Sequence, residues 1–342
     1  TQANLYQSCA ALSPQVAGAP GIGFVVAAFA ANRCASLKAK GLLTADTTAG
    51  QADEALAKLA AYGWEPESAV LHASLAAFEV APAVAVTFGN ALSRSSVADS
   101  LCGYSYAATT PTLTVGPLPP ASLAAMAATG NGVPPSSGVQ LINNLSPGLA
   151  LRDLVSLSPS TFTQDFNLDG ALCLRKLLTG GDAKALALQQ GIGQTLRSGN
   201  LQRKPAIIVH GRADALIPVN HSSRPYTALN KRVEGRHSRL SYIEVTNAQH
   251  FDTFIGLPAV LGGYDTRYIP LHVYLNRALD AMYAHLRHGQ PLPDSQVVRT
   301  VPRGGSPGAA PAITADNVPP ILRRPAQADA IRMHGNTLVV PD

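Results

Sequence analysis

The runs Pro-Ala-Ile-Ile-Val-His-Gly-Arg-Ala-Asp (205–214) and Leu-Ser-Tyr-Ile-Glu-Val-Thr-Asn-Ala-Gln-His-Phe-Asp (240–252) decide how this chain is read. Ala206 to Val209 is a near-continuous apolar run, as expected of a strand buried on both faces in a parallel sheet. Gly211 ends it, and Asp214 follows in the loop. Ile243 and Val245 belong to a second strand, and His250 lies just past its end. Between them, Pro225 to Val233 suits a helix with proline near its first turn. In open α/β sheets, reactive groups collect beyond the carboxyl ends of strands, so the two loops are expected to bring Asp214 and His250 side by side.

A carboxylate beside a histidine is two-thirds of what an ester-cleaving serine needs. The hydroxyl is inert at neutral pH until a base removes its proton. Histidine has the ordinary pKa for that task, and the carboxylate fixes its tautomer and stabilises the imidazolium. The order acid, then base, resembles the second half of an α/β-hydrolase triad. Longer strings carry a closer resemblance: Gly-Arg-Ala-Asp-Ala-Leu-Ile-Pro-Val-Asn-His-Ser-Ser-Arg-Pro-Tyr (211–226), Asn-Ala-Gln-His-Phe-Asp (247–252), Asp-Gly-Ala-Leu-Cys-Leu-Arg (169–175), Gly-Tyr-Asp-Thr-Arg-Tyr-Ile-Pro-Leu (263–271) and Val-Val-Arg-Thr-Val-Pro-Arg-Gly-Gly (297–305). On these strings the chain resembles the D-3-hydroxybutyrate oligomer hydrolases along its whole length. The resemblance implies cleavage of short linear 3-hydroxybutyrate esters without a cofactor, with Asp214 as triad acid and His250 as triad base.

One departure is expected to matter. The family's nucleophile lies in an upstream elbow, and no Gly-x-Ser-x-Gly occurs here. The nearest approach is Gly103-Tyr104-Ser105-Tyr106-Ala107, with a poor buried strand before it and Thr109-Thr110-Pro111 blocking a helix after it. The chain therefore reads as the downstream half of a larger hydrolase, with the serine on an N-terminal companion polypeptide or on a portion not included. A competing reading is a non-catalytic half that only binds a ligand or partner. Another keeps the chemistry but changes the substrate to another short ester. Cysteines immediately before the acid and base mark the related tannase and feruloyl esterase group. Ala213 and Gln249 hold those places here.

Composition bounds the alternatives. The 342 residues are 46% apolar and 14% charged, as in a globular chain. No run of 18 apolar residues is present, so no membrane span is expected. Residues 201–290 hold 11 Lys and Arg against 6 Asp and Glu, whereas residues 1–200 hold 10 against 11. This reads as a solvated basic face, compatible with drawing in the terminal carboxylate of an oligomer. With no basic cluster interleaved with aromatics, nucleic acid is not an expected partner. Cys9, Cys34, Cys102 and Cys173 have no metal-ligand spacing. Their even number fits two disulfides, in any of three pairings, and a secreted or periplasmic protein.

The expected architecture is an α/β-hydrolase C-terminal half, a parallel sheet with flanking helices. Residues 1–200 form a mostly helical cap, 201–290 the core segment carrying acid and base, and 291–342 an extended tail packed on the body. Helices are expected near Gly23–Lys40, Thr48–Ala61, Leu149–Leu157, Asp169–Leu178 and Ala183–Arg197. Glu79–Ser93 is helix or strand, because Val80, Val84 and Val86 are β-branched, and Thr109–Val139 reads as long loops. Asp165 to Gly170 meets part of a calcium-loop pattern, but Lys176 stands where a bidentate Glu is needed, so it reads as a turn leading to an N-cap at Asp169. Seven of the nine histidines lie between 201 and 290. Of these, His210 reads as a packed or hydrogen-bonded neighbour and His221, in the acid loop, as a substrate contact. Asp252 reads as a loop brace. Arg267 reads as a loop ion pair or a bidentate hold on a substrate carboxylate. Leu271 to Arg287 is a helix with Leu271, Tyr274, Leu275, Ala278, Met282 and Leu286 on its apolar face.

Overall fold

The computed structural model describes residues 1–121 and 139–342, so most of the loop expected over Thr109–Val139 lies outside the described residues. The chain divides into one unit of Thr1–Tyr62 with Val70–Leu196 and a second of Gly63–Ala69 with Arg197–Asp342.

In the first unit, α1 (Gln2–Ala10), α2 (Ala27–Ala39), α3 (Thr48–Ala61), α4 (His72–Ala77) and α5 (Val80–Ser93) precede a curled antiparallel sheet. Its order is β2-β1-β3-β4, from β1 (Tyr104–Thr109), β2 (Val115–Gly116), β3 (Gln140–Asn143) and β4 (Leu151–Arg152). Helices α6 (Leu168–Lys176) and α7 (Ala183–Gln194) follow. The ambiguous Glu79–Ser93 stretch is helical. Pro82 sits in its first turn, where a missing N–H costs nothing, and Ala83, Val86 and Asn90 turn one face inward. The helix expected at Leu149–Leu157 is instead β4 and a single 3-10 turn. Pro147 and Gly148, the latter at φ 95, break the chain just before it, and β4 finds partners on β3.

Two disulfides staple this unit. Cys9–Cys34 joins α1 to α2, and Cys102–Cys173 joins the turn before β1 to α6, with sequence separations of 25 and 71. Closing loops of those lengths removes chain entropy worth roughly 3 to 4 kcal/mol each. Beside the first disulfide, the fully buried Arg33 guanidinium donates to the carbonyls of Asn4, Leu5, Asp165 and Phe166. The cap of α6 is Asn167, whose side chain accepts from Gly170 N, so the helix starts earlier than an Asp169 cap would allow. Asn167 holds φ 52, a conformation asparagine tolerates. Asp165 and Asp169 accept from Ser158, Thr161 and Ser160, which occupies the oxygens a cation would use.

The second unit is built on a parallel sheet of order β5-β6-β7, from β5 (Ala206–Gly211), β6 (Leu240–Val245) and β7 (Gln296–Val298). Helix α8 (Ser223–Glu234) lies between β5 and β6, and α9 (Tyr264–Arg267) and α10 (His272–His288) between β6 and β7. The hairpin of β8 (Arg332–His334) and β9 (Thr337–Val339) follows. One face packs Ile207, Val209, Ile243 and Val245 against Tyr274 and neighbours of α10. The other packs Ile208 and Tyr242 against Ile331, Leu338 and Val340. Every residue of β6 is buried, each large apolar one contributing about 1.5–3 kcal/mol. The Pro-rich tail is therefore not only an extended cover: it supplies the third strand of the sheet.

β5 departs from its expected burial on both faces, since only Gly211 is buried. It is the edge strand, bonded on one side to β6. The amides of Ala206 and Arg212 donate to Arg239 and Val245 on that side. The two-residue repeat of the ladder turns the amides of Ile207 and Val209 the other way, to the side on which no described strand pairs with β5. Helix α10 also departs from expectation. Tyr274 and Ala278 are buried, but Leu275, Leu279 and Leu286 are 52%, 59% and 70% exposed.

Candidate active site

Two loops at the carboxyl ends of neighbouring strands make the site. After β5 the chain passes so close to the second loop that a Cβ on Gly211 would lie 2.4 Å from the Ala248 carbonyl oxygen, so only glycine fits. Two residues on, Ala213 N donates to that same carbonyl at 3.0 Å. The Asp214 and His250 loops are thus tied backbone to backbone. The side chain of Asp214 is 5% exposed, and its Oδ1 accepts from the amides of Leu216 and Ile217 at 2.9 and 2.8 Å. The loop continues under Gly63–Ala69: Trp64 Nε1 donates to Ala215 O at 2.7 Å, and Asn220 Nδ2 donates to Gly63 O at 3.1 Å.

The His250 loop turns at Asn247, which holds φ 53, receives Ile269 N on its carbonyl and donates from Nδ2 to Thr300 O. The tail after β7 therefore buttresses the histidine. Buried Gln249 clamps the backbone of Phe251, donating to its carbonyl and accepting from its amide, each at 2.7 Å. The Phe251 ring stands edge-on to His250 with centroids 4.7 Å apart. Asp252 does not face His250. It accepts from the amides of Leu271 and His272, capping α10, and from His272 Nδ1.

Asp214 Oδ2 accepts from His250 Nδ1 at 2.9 Å. Burial pushes the Asp214 carboxyl up, but hydrogen bonds from His210 and His250, the charge of His250 and the Ile217 amide outweigh it and hold the group at about 2. The bond to Asp214 raises His250 above its ordinary value, burial opposes, and the carboxylate charge adds to the rise. His250 is 34% exposed, and no described residue hydrogen-bonds its Nε2. Such a pair can take a proton at Nε2 while the carboxylate steadies the ring.

The same carboxylate oxygen meets a second histidine, His210 Nε2, at 3.3 Å. His221 is exposed, with its ring edge-on to Trp64 at 5.2 Å between centroids, and it shares a shallow depression with His210. Arg267 is exposed on α9 and forms no ion pair among the described residues. Ser105, the nearest approach to an elbow, lies within β1 opposite Ile142 and accepts from Asn144 Nδ2 at 2.8 Å, not in a strand-to-helix turn. Among the described residues no cluster of metal ligands occurs, and no single helix is long and apolar enough to cross a membrane.

The family profile described as 3HB-oligomer hydrolase matches residues 1–342. This chain belongs to that family. It is 66% identical to a protein of Paracidovorax citrulli named D-(-)-3-hydroxybutyrate oligomer hydrolase, over 100% of this chain and 49% of that protein. A Ralstonia pickettii protein of the same name is 59% identical over 97% of this chain and 45% of its own length, and one of an Azoarcus species 56% identical over 100% and 49%. The chain thus spans about half the length of the curated family members it matches. No solved structure matches it.

Proposed function

We propose that this chain carries the acid and base of a serine-type carboxylic ester hydrolase of the α/β-hydrolase kind that cleaves 3-hydroxybutyrate oligomers to monomers. The observation that carries the reading is the 2.9 Å bond from His250 Nδ1 to buried Asp214, at the carboxyl ends of adjacent parallel strands, with Nε2 open. His250 accepts the proton of a serine hydroxyl as the serine attacks the ester carbonyl. It then gives that proton to the departing hydroxybutyrate alkoxide. Water, deprotonated by His250, hydrolyses the acyl-enzyme. Ester hydrolysis by this route needs no cofactor. Arg267, exposed and cationic, is the candidate hold on the oligomer's carboxylate, and His221 a candidate contact on the rim. Two disulfides favour a secreted or periplasmic site of action.

The serine in this reading comes from polypeptide outside residues 1–342. The unpartnered edge of β5 supports this. A strand added parallel to it would end beside Asp214, where a nucleophile loop has to arrive, and relatives about twice as long have room for such a strand. Fluorophosphonate labelling followed by intact-mass measurement tests the assignment. Label on an accompanying polypeptide is expected. Label on this chain alone places the nucleophile here and overturns the outside serine, and no label in any preparation favours the non-catalytic half. In the complete enzyme, His250→Ala is expected to lower turnover by about 10⁴-fold or more with folding intact. Wild-type turnover would remove His250 from the mechanism.

A further inference from the structure

A buried chain of side chains runs from Asp214 away from His250, and its hydrogens can point only one way. At the far end, the fully buried Glu244 accepts from Arg212 Nε at 2.5 Å and from Arg224 Nε and Nη2 at 2.9 and 2.7 Å. Burial pushes the Glu244 carboxyl up, but the bonds and charge of Arg224, the Tyr242 hydroxyl and Arg212 outweigh it and keep it low, so it acts only as an acceptor. Tyr242 spends its single hydrogen on Glu244 Oε2 at 2.6 Å. Ser223, 2.9 Å from the Tyr242 oxygen, must then donate to it. That leaves Ser223 Oγ as the acceptor for His210 Nδ1 at 2.8 Å, so Nδ1 carries a hydrogen. On the other side, His210 Nε2 faces a carboxylate oxygen, which accepts only from an N–H.

We propose that His210 donates from both ring nitrogens, so that a cationic imidazole sits behind Asp214 and acts as a positioning residue that limits the basicity of His250. A carboxylate serving one histidine would raise that ring further. Shared with a second donor, it holds His250 less strongly as the imidazolium, and the base stays neutral to lower pH. The second bond also fixes the carboxylate plane, so that Oδ2 cannot swing away from His250. The other charged or titratable groups around His210 are Arg197, His221 and Tyr226 at the depression. Arg197 and His221 are exposed and screened by water, whereas Asp214 is buried and in direct contact. Because Glu244 polarises the chain, residues with no contact to either loop's tip influence His250.

The effect on turnover rests on the proposed acid–base function, but the polarity does not. The test is ¹⁵N-histidine NMR on the intact chain. At neutral pH, both His210 ring nitrogens are expected to show protonated shifts. The His250 titration midpoint is expected to rise by about one pH unit in His210→Phe, where a nearby charge is lost. It is expected to rise, by less, in Tyr242→Phe and Ser223→Ala, which free His210 to become neutral. Tyr242→Phe keeps the strand and the three bonds from Arg212 and Arg224 to Glu244, so a purely structural His210 would leave His250 unmoved there. An unprotonated ring nitrogen on His210, or an unchanged His250 midpoint in Tyr242→Phe and Ser223→Ala, overturns the proposal. Midpoints that move in a chain whose complete enzyme shows no esterase activity would sustain the polarity while removing the hydrolase reading.

Discussion

The two units of this chain solve the same problem with different bonds. The helical unit holds all four cysteines and closes them into two disulfides, the first beside the buried Arg33. The sheet unit has no cysteine. It is held by a buried β6, by Glu244 with its two arginines, and by backbone ties between the Asp214 and His250 loops. Ala213 and Gln249 stand where a related group carries cysteines, and the Ala213 amide bond to Ala248 O connects the same two loops. Covalent staples fix one unit, while hydrogen bonds hold Asp214 and His250 in the other.

The sharpest way to break that contrast is Glu244→Ala. It leaves the buried Arg212 guanidinium without its carboxylate, while half-buried Arg224 keeps only the Glu65 carboxylate, and should destabilise the sheet unit by roughly 3–5 kcal/mol. The loss is read as a fall in the denaturation midpoint of that unit alone. Cys102→Ser with Cys173→Ser should cost the helical unit roughly 3 kcal/mol while leaving the His250–Asp214 bond visible by NMR. Loss of both together would show that the units do not unfold separately.

Acid pH addresses the sheet unit again. Asp214 is lowered in the folded state, so the stability it contributes is complete above its unfolded value near 4 and is lost as pH falls through about 2. The loss is roughly 2 kcal/mol and should be missing in Asp214→Asn. His250 is raised, so its contribution is present below about 6.5 and fades as pH climbs through its higher folded value. The acid limb of any esterase pH profile should accordingly lie above about 6.5. The smallest effect belongs to Arg267→Ala. Its stability should stay within ~0.5 kcal/mol of the parent, as for surface sites without partners, while KM for an anionic oligomer rises severalfold and kcat holds.

Much of the sheet unit was legible because apolar runs ending in ionisable residues have one economical arrangement. Asp214 and His250 stand out as the first reactive groups after Gly211 and after Val245. His210 is harder to read, since a histidine at a strand end looks alike whether it packs or bonds. Its meaning depends on Ser223, Tyr242 and Glu244, which come together only after folding. The edge position of β5 leaves no mark in the sequence, because Ala206 to Val209 has the composition of a doubly covered strand whether or not a neighbour is present. Helix α10 is hard to read for a similar reason: Leu275 and Leu286 fit an apolar face, yet Tyr274 and Ala278 are the residues of the helix that are buried. The first unit's antiparallel strands are short, and β4 in particular is too brief to leave a periodic signal.

The close passage of Gly211 under Ala248 gives this site a gauge of its own motion. Because the Ala213 amide is held by the Ala248 carbonyl, its proton can trade with solvent deuterium only when the Asp214 and His250 loops part. The exchange rate of that one proton therefore counts how often the two loops come apart, with no substrate present.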